Sequence, residues 1–353
     1  MKTVINRKNA VLLILLAITT GISAQVRLDR NVEKVFKVGN DALIEVNSKF
    51  GNVEIVKGEG NSVNVVATIW AETSKESTSK ELLDKMDVEL LQADNTIKIN
   101  SVFSDKQIKA GKDAKFRIDF VIKAPENINV NVNSRFGSVY IDENSGIVNL
   151  NISYGNLKVG QLSRGKEKPL NEINLSYSDA SIDQAGWIKM NNAFSKANVQ
   201  EAKAIVLISK YSGLVLDECS SLVTSSKYDT YSVGELNNFN GELSYSNLVI
   251  DELEKKLEYS GNYSSLNVKE VGQNFELIKV NNLRGGVKIG LNENSSFTFS
   301  GMVTRGDISI PDIEITSKKV ENTTKFIEGK KGNNPTARIE VEAKEGGVKI
   351  YFN

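Results

Sequence analysis

The chain reads FSKANVQEAKAIVLISK over residues 194–210, YSGLVLDECSSLVTSSK over 211–227 and YDTYSVGELNNFNGELS over 228–244. The three segments share one length, 17 residues, and one order of residue types. Each opens with an aromatic residue, continues with Ser or Asp, and then alternates apolar and polar side chains. A fixed period of this kind is typical of a repeat architecture, and it decides the fold.

Copies of this repeat extend along most of the chain, and the aromatic residue that opens a copy is here called its marker. From Tyr177 to Tyr263 the markers follow one another at steps of 17, 17, 17, 17 and 18 residues. Three further copies have a charged marker: Arg284, Arg305 and Glu345. The aromatic markers are Phe50, Phe136, Tyr154, Tyr177, Phe194, Tyr211, Tyr228, Tyr245 and Tyr263.

Each copy predicts two short strands. Apolar residues stand three and five positions after the marker, as Leu214 and Leu216 do after Tyr211. Apolar residues also stand four and six positions before it, as Leu207 and Ile205 do. Alternation with a period of two indicates a strand with one buried face. Each copy therefore reads as strand, corner at the marker, strand and turn.

Such a unit cannot bury its apolar face alone and must stack on its neighbours. The sequence therefore predicts an all-β chain, a right-handed β-solenoid with two strands in each coil of about 17 residues. Right-handed winding is expected because parallel crossovers are almost always right-handed. An antiparallel β-sandwich would show similar alternation. The constant step favours the solenoid, because sandwich strands vary in length.

Residues 1–24 have the features of a cleaved secretory signal peptide. Lys2, Arg7 and Lys8 precede an apolar run of nine residues, 10–18, and Ala24 offers a small residue at the cleavage point. The run is shorter than the roughly 20 residues of a membrane-spanning helix. We therefore expect an exported protein, periplasmic or at the cell surface or extracellular, that does not span the membrane after cleavage.

Composition excludes several classes of function. The chain has no histidine and one cysteine, Cys219, so it lacks Ser-His-Asp and Cys-His catalysis, histidine metal sites and internal disulfides. Cys219 is expected to be a small residue that fills space at a turn. Without residues 1–24 the chain has a net charge of −3, which gives no case for nucleic acid as a partner. The 38 Asn and 26 Gly residues are interpreted as turn formers.

Residues 25–353 are predicted to form a single elongated domain. Its most regular repeats are expected over 130–291, and a less regular part over 25–125. Residues 318–334 are polar and predict a long exposed loop. One short flanking helix is predicted near residues 74–86, where a Thr78–Glu81 capping-box pattern precedes apolar residues at helical spacing.

Three stretches carry a resemblance to a known group of proteins. They are LIEVNSKFGNVEI at 43–55, NSRFGSV at 133–139 shortly after an Ala-Pro step, and GGVKI at 346–350. They resemble the exported bacterial "putative adhesin" families of β-solenoid proteins, which are common in Bacteroidetes-type genomes. The resemblance implies the fold and export, and it implies no catalytic residue and no cofactor.

Acidic residues recur after the second strand of many copies, and stacking would align them in a column. Carboxylate oxygens can bind Ca²⁺, so Asp217, Glu218, Asp251 and Glu252 are candidate metal ligands. A carboxylate pair could also hydrolyse a glycoside. A solvated acidic edge that keeps the protein soluble is favoured over both.

The aromatic markers also form a column in a stacked fold. They either form an outward ribbon that binds sugars or pack the corner from inside. Their parity matches that of the apolar residues before them, which favours packing in the core. Tyr211, Tyr228, Tyr245 and Tyr263 remain candidate ligand-binding residues, because each hydroxyl must reach water or a partner.

These observations predict a non-enzymatic exported protein, an adhesin or an envelope binding and scaffold protein, with glycans or other envelope or surface components as partners. Two alternatives are a polysaccharide-active enzyme on a β-helix and a periplasmic partner of an envelope-stress regulator. The sequence leaves the ligand and the oligomeric state open.

Overall fold

The computed structural model describes residues 25–353 apart from positions 40, 105–110 and 112. In this part of the chain 26 strands belong to one hydrogen-bonded sheet, and one α-helix packs against it. The predicted all-β class with one short helix is confirmed. The predicted signal peptide, residues 1–24, lies outside the described residues. None of the described helical residues forms a helix long and apolar enough to cross a membrane.

The N-terminal part contains seven strands and the helix: β1 (Val26–Lys37), β2 (Leu43–Lys49), β3 (Val53–Lys57), β4 (Ser62–Thr73), α1 (Glu76–Asp84), β5 (Met86–Ala93), β6 (Thr96–Phe103) and β7 (Lys115–Ala124). β4 pairs antiparallel with both β1 and β7, and β5 pairs antiparallel with β6. α1 packs on β1 and β4. The helix begins at Glu76, before the predicted cap at Thr78. The buried Ser79 hydroxyl donates to the Val26 carbonyl oxygen at 2.7 Å.

The central part contains thirteen strands: β8 (Asn129–Arg135), β9 (Val139–Asn144), β10 (Val148–Ser153), β11 (Asn156–Leu162), β12 (Asn171–Ser176), β13 (Asp179–Ala193), β14 (Lys196–Lys210), β15 (Gly213–Lys227), β16 (Thr230–Ser244), β17 (Asn247–Asn262), β18 (Ser265–Val271), β19 (Leu277–Leu283) and β20 (Val287–Leu291). Each pairs in parallel with the equivalent strand of the neighbouring copy. Ala197 faces Leu214, and Leu214 faces Tyr231. All three side chains are buried, so copies stack with their apolar faces aligned.

The predicted turn after the acidic residues does not end the strand. β13 to β17 each run through 15 or 16 residues. In β15 the pairing skips only Asp217 and Ser220. Leaving single residues unpaired bends a strand without breaking it. Two predicted strands and their connection are therefore one long bent strand in these copies.

The C-terminal part contains six strands: β21 (Phe297–Thr304), β22 (Ile308–Ser309), β23 (Glu314–Glu321), β24 (Thr324–Lys331), β25 (Ala337–Lys344) and β26 (Val348–Phe352). β25 and β26 continue the parallel ladders by pairing with β19 and β20. The predicted loop over 318–334 is wrong, because β23 and β24 form an antiparallel hairpin there. Every residue of β23 is exposed, so the strand has no buried face and no apolar alternation to reveal it.

Candidate functional site

The corner at each marker is made by an unusual backbone conformation. All aromatic markers, and Arg284, Arg305 and Glu345, have φ between 50° and 61°. This left-handed conformation costs a residue with a side chain roughly 1–2 kcal/mol. The repetition of the same strained turn shows that stacking holds each corner in place.

The residue after each marker is small because neighbouring corners touch. A Cβ on Gly137 would lie 1.8 Å from the carbonyl oxygen of Gly51 in the adjacent copy. Where serine replaces glycine, its hydroxyl links the copies. The Ser195 hydroxyl donates to the Ala193 carbonyl oxygen at 2.8 Å and accepts from the Ser178 N–H at 3.1 Å. The small residue predicted for the turn is therefore part of a series of hydrogen bonds between neighbouring copies.

Asp229 takes the place of serine in one copy and is buried. Its carboxylate accepts hydrogen bonds from the Ser209 hydroxyl at 2.6 Å and the Ser226 hydroxyl at 2.9 Å. It also accepts from the Ser212 N–H at 2.6 Å and the Tyr231 hydroxyl at 3.3 Å. A buried charge needs this number of donors, and the network joins three copies of the repeat.

The aromatic markers form an exposed ladder of stacked rings. From Phe50 to Tyr263, adjacent ring centroids lie 4.8–5.2 Å apart and ring planes differ by 1–21°. From Phe136 onward each ring is 39–50% exposed. The predicted packing of the markers in the core is therefore wrong. Counting parity assumes extended backbone, and the left-handed marker turns its side chain outward.

The predicted ligand-binding residues Tyr211, Tyr228, Tyr245 and Tyr263 are consecutive members of this ladder. Most ring faces along the ladder are opposed by a neighbouring ring. At one end Phe103 and Phe116 pack edge-on against Phe50, at centroid distances of 5.9 and 5.5 Å. At the other end the Arg284 guanidinium lies 5.0 Å from the Tyr263 ring centroid. Ring edges and hydroxyls, rather than ring faces, are what the ladder presents to a ligand.

Four cations flank the ladder, each one position before a marker. The charged groups of Lys49, Arg135, Lys210 and Lys227 lie 4.8–5.3 Å from the centroid of the following ring. Favourable cation–π contact holds them against the rings. Within the described part of the chain, none of the four forms an ion pair with a carboxylate.

A column of asparagines lies two residues further from the markers. The Nδ2 of Asn133 donates to Asn47 Oδ1 at 3.0 Å, Asn151 to Asn133 at 2.8 Å, Asn174 to Asn151 at 2.8 Å and Asn191 to Asn174 at 2.6 Å. The sequence analysis missed this column because it read asparagine as a turn former. The signal is present, since all five stand three positions before a marker.

A shallow groove follows the edge between these columns. It is here called the corner groove, and it is lined by residues one to three positions before the markers. Cavities of about 380, 440 and 480 Å³ open along it, at Ser48, Ser226 and Asn282 respectively. A separate cavity of about 600 Å³ lies among turns near Lys256 and Glu276, which pair with each other at 3.0 Å.

The acidic column exists but does not gather ligands for a metal. Glu201, Glu218, Glu235, Glu252 and Glu270 face one another in register, one in each copy. The pKa of Glu252 is raised by a hydrogen bond to Glu254, by burial, and by repulsion from Glu254 and from its column neighbours Glu235 and Glu270.

The four candidate metal ligands fall into two separate pairs. The copy that contains Glu235 separates Asp217 and Glu218 from Asp251 and Glu252. Asp251 instead pairs with Lys269 at 2.7 Å. No group of three or more acidic or cysteine side chains that could hold a metal is present among the described residues.

The parallel pairing of equivalent strands and the repeated corners define an all-β repeat protein. Side chains of the same type form exposed columns along its corner. No protein-family model and no curated protein matches the chain. The matching solved structures include a putative adhesin from Parabacteroides distasonis, 9% identical over 91% of this chain and 97% of that one, with a TM-score of 0.33. A putative cell adhesion protein from Clostridium sporogenes is 12% identical over 92% and 100%, with a TM-score of 0.19.

A third solved structure, described as a putative lipid binding protein from Parabacteroides distasonis, is 12% identical over 73% of this chain and 96% of that one, with a TM-score of 0.30. These descriptions match the kind of protein that the repeat motifs resemble.

Proposed function

We propose that the protein is an exported, non-enzymatic binding protein of the cell envelope, displayed at the cell surface as an adhesin. The observation that carries this proposal is the in-register repetition of exposed side chains along the corner. Each copy offers similar groups at a spacing of roughly 4.8 Å. A surface of this kind suits many weak contacts with a repetitive polymer.

The proposal includes a right-handed β-solenoid fold. Parallel pairing between equivalent residues of successive copies, such as Ala197 with Leu214, supports stacked coils of about 17 residues. Right-handed winding is what parallel crossovers favour. The features of residues 1–24 support export.

The arrangement of the carboxylates supports a non-enzymatic role. Glycoside hydrolysis needs two carboxyl groups at a defined separation across one bond. In the acidic column the same glutamate recurs in successive copies, facing its neighbours at the strand spacing rather than across a cleft that could hold a glycosidic bond. The corner groove is open, and no described residue closes over it as a lid.

Multivalent binding predicts a strong dependence on ligand length. The purified protein is titrated with linear polysaccharides and with short oligosaccharides of the same sugar. Polymer should bind about a hundredfold more tightly than oligosaccharide, because linked contacts raise the effective concentration. Equal affinities would contradict the proposal. Release of new reducing ends during the titration would instead identify an enzyme.

A further inference from the structure

Four cations that form no ion pair with a described carboxylate lie in one line along the corner groove, as two pairs of neighbours. Lys49 faces Arg135 in the next copy, and Lys210 faces Lys227. Arg135 and Lys210 are four strand steps apart in the same column, which is about 19 Å at the usual strand spacing. The positions between them hold only Ser153, Ser176 and Ala193. A single extended ligand can therefore reach both pairs without obstruction.

Two buried amides without partners stand on the same strand segments as the groove, but their side chains face the core. Asn192 and Asn282 each stand two positions before a marker and are 4% and 5% exposed. Among the described residues, neither amide group has a hydrogen-bond partner. Their column also holds the buried Ile152, Leu175 and Leu243, so a ligand in the groove meets the side chains on either side of this column instead.

The two pairs of cations, with Ser153 and Ser176 between them, specify a ligand with negative charges at intervals and with hydroxyl groups between those charges. Because neighbouring side chains cover most ring faces, recognition by stacking of a neutral sugar is not available along the ladder. The remaining contacts are charge and hydrogen bonds. Serine and asparagine side chains along the groove disfavour the acyl chain of a lipid.

We propose that the corner groove binds a linear acidic polysaccharide lying parallel to the stack of strands. Acidic groups of the polymer contact Lys49, Arg135, Lys210 and Lys227, and its hydroxyls reach the half-buried Ser153 and Ser176 between the two pairs of cations. This inference rests on the proposed function and names its ligand class. It identifies the cation column, rather than the tyrosines, as the source of affinity.

In the cavity beside Lys210 and Lys227, one acidic side chain opposes this binding. Glu242 is exposed and lines the same cavity as Lys210 and Lys227 without pairing with either. A bound acidic group in this cavity is repelled by it. Glu242→Gln should therefore strengthen binding, whereas removing the lysines should weaken it.

The test uses polygalacturonate, its methyl-esterified form as a neutral ligand of the same backbone, and vesicles of anionic phospholipid. The groove variant is Lys210→Gln/Lys227→Gln. A matched control is Lys288→Gln/Lys349→Gln, which removes two exposed lysines that face each other in adjacent copies outside the groove. Thermal unfolding confirms that both variants are folded.

Polygalacturonate should bind more tightly than its methyl ester. The groove variant should lose about tenfold in affinity, and the control less than about twofold, because only the groove lysines contact the ligand. Glu242→Gln should gain affinity. Equal losses in both double variants, or tighter binding to vesicles than to polygalacturonate, would overturn the inference.

The outcome also separates this inference from the proposed function. If the methyl ester binds as tightly as the acid, with the same dependence on length and no effect of the lysines, the groove assignment fails and the binding function stands. If no polysaccharide of any length binds, both fail.

Discussion

Tyr228 is the residue at which the energetics of the corner can be separated into parts. Its ring stacks on Tyr211 at 4.8 Å and on Tyr245 at 5.1 Å, and its φ is 60°. The stacking stabilises the folded protein, whereas the left-handed backbone opposes it. Replacing Tyr228 by Phe, Ala and Gly changes these two contributions in different combinations.

The magnitudes follow from the two contacts and the backbone. Each stacked pair contributes roughly 0.5–1.5 kcal/mol, so Tyr228→Ala should lower the free energy of unfolding by about 2 kcal/mol. Tyr228→Gly loses the same contacts but removes a left-handed cost of roughly 1–2 kcal/mol. Its greater unfolded-state entropy takes back roughly 0.4–1 kcal/mol. Tyr228→Gly should therefore be more stable than Tyr228→Ala. Tyr228→Phe keeps the ring, as Phe194 does in another copy, and should be close to wild type.

Urea unfolding followed by circular dichroism gives the free energy of unfolding for each variant. The expected order of stability is wild type and Tyr228→Phe, then Tyr228→Gly, then Tyr228→Ala. A glycine variant less stable than the alanine variant would show that the left-handed corner costs less than the unfolded-state entropy of glycine, which would contradict the cost assigned to it. A phenylalanine variant as unstable as alanine would show that the hydroxyl, not the stacked ring, stabilises the corner.

Three further predictions concern the packing between copies. A Cβ on Gly285 would lie 1.9 Å from the Ser264 carbonyl oxygen, whereas a Cβ on Gly286 meets nothing within 4 Å. In urea unfolding, Gly285→Ala should therefore lower the free energy of unfolding by about 3 kcal/mol and Gly286→Ala by less than about 0.5 kcal/mol. Equal losses would contradict the close approach. Asp229→Ala leaves buried hydroxyls without an acceptor and should lower the free energy of unfolding by about 3 kcal/mol. Asp229→Ser introduces the residue type that the next copy has at Ser246 and should lower it less; the reverse order would contradict the network. Burial raises the pKa of Cys219 to about 11, so its thiol should resist alkylation by iodoacetamide at about pH 8 until the protein is unfolded. Mass spectrometry measures the labelling, and rapid labelling of the native protein would contradict the burial of Cys219.

The strands of the repeat were predictable because their signal is local. Alternation around each marker gives the buried face, as at Leu214 and Leu216, and both are buried in the structure. The helix was predictable from its apolar spacing near residues 74–86, and it spans Glu76–Asp84.

The features that the sequence analysis missed depend on backbone conformation or on stacking. The exposure of Tyr211 follows from a positive φ, which a parity count does not contain. The asparagine column has a signal in the sequence, a fixed position three residues before the marker, but the hydrogen bonds between Asn133 and Asn151 on neighbouring strands are visible only in the structure. The hairpin of β23 and β24 has an exposed face on both sides of β23, so no hydrophobic pattern marks it.

The candidate site was predictable only in part. The sequence analysis named the tyrosine column, but not the cations beside it, because Lys210 and Lys227 are unremarkable until stacking aligns them. The acidic column was expected and is present, and Glu218 faces Glu235. Its four proposed metal ligands fall in non-adjacent copies, as the markers Tyr211, Tyr228 and Tyr245 already imply, and the pairing of Asp251 with Lys269 is visible only in the structure.

Surface display of the protein can be measured directly through the hairpin of β23 and β24. The turn at Asn322 and Thr323, between β23 and β24, is exposed. A short epitope inserted there should leave the parallel ladders intact. Antibody labelling is then compared between intact and permeabilised cells of the native host. Labelling of intact cells at a level close to that of permeabilised cells is the predicted result. Labelling only after permeabilisation would contradict an adhesin at the cell surface.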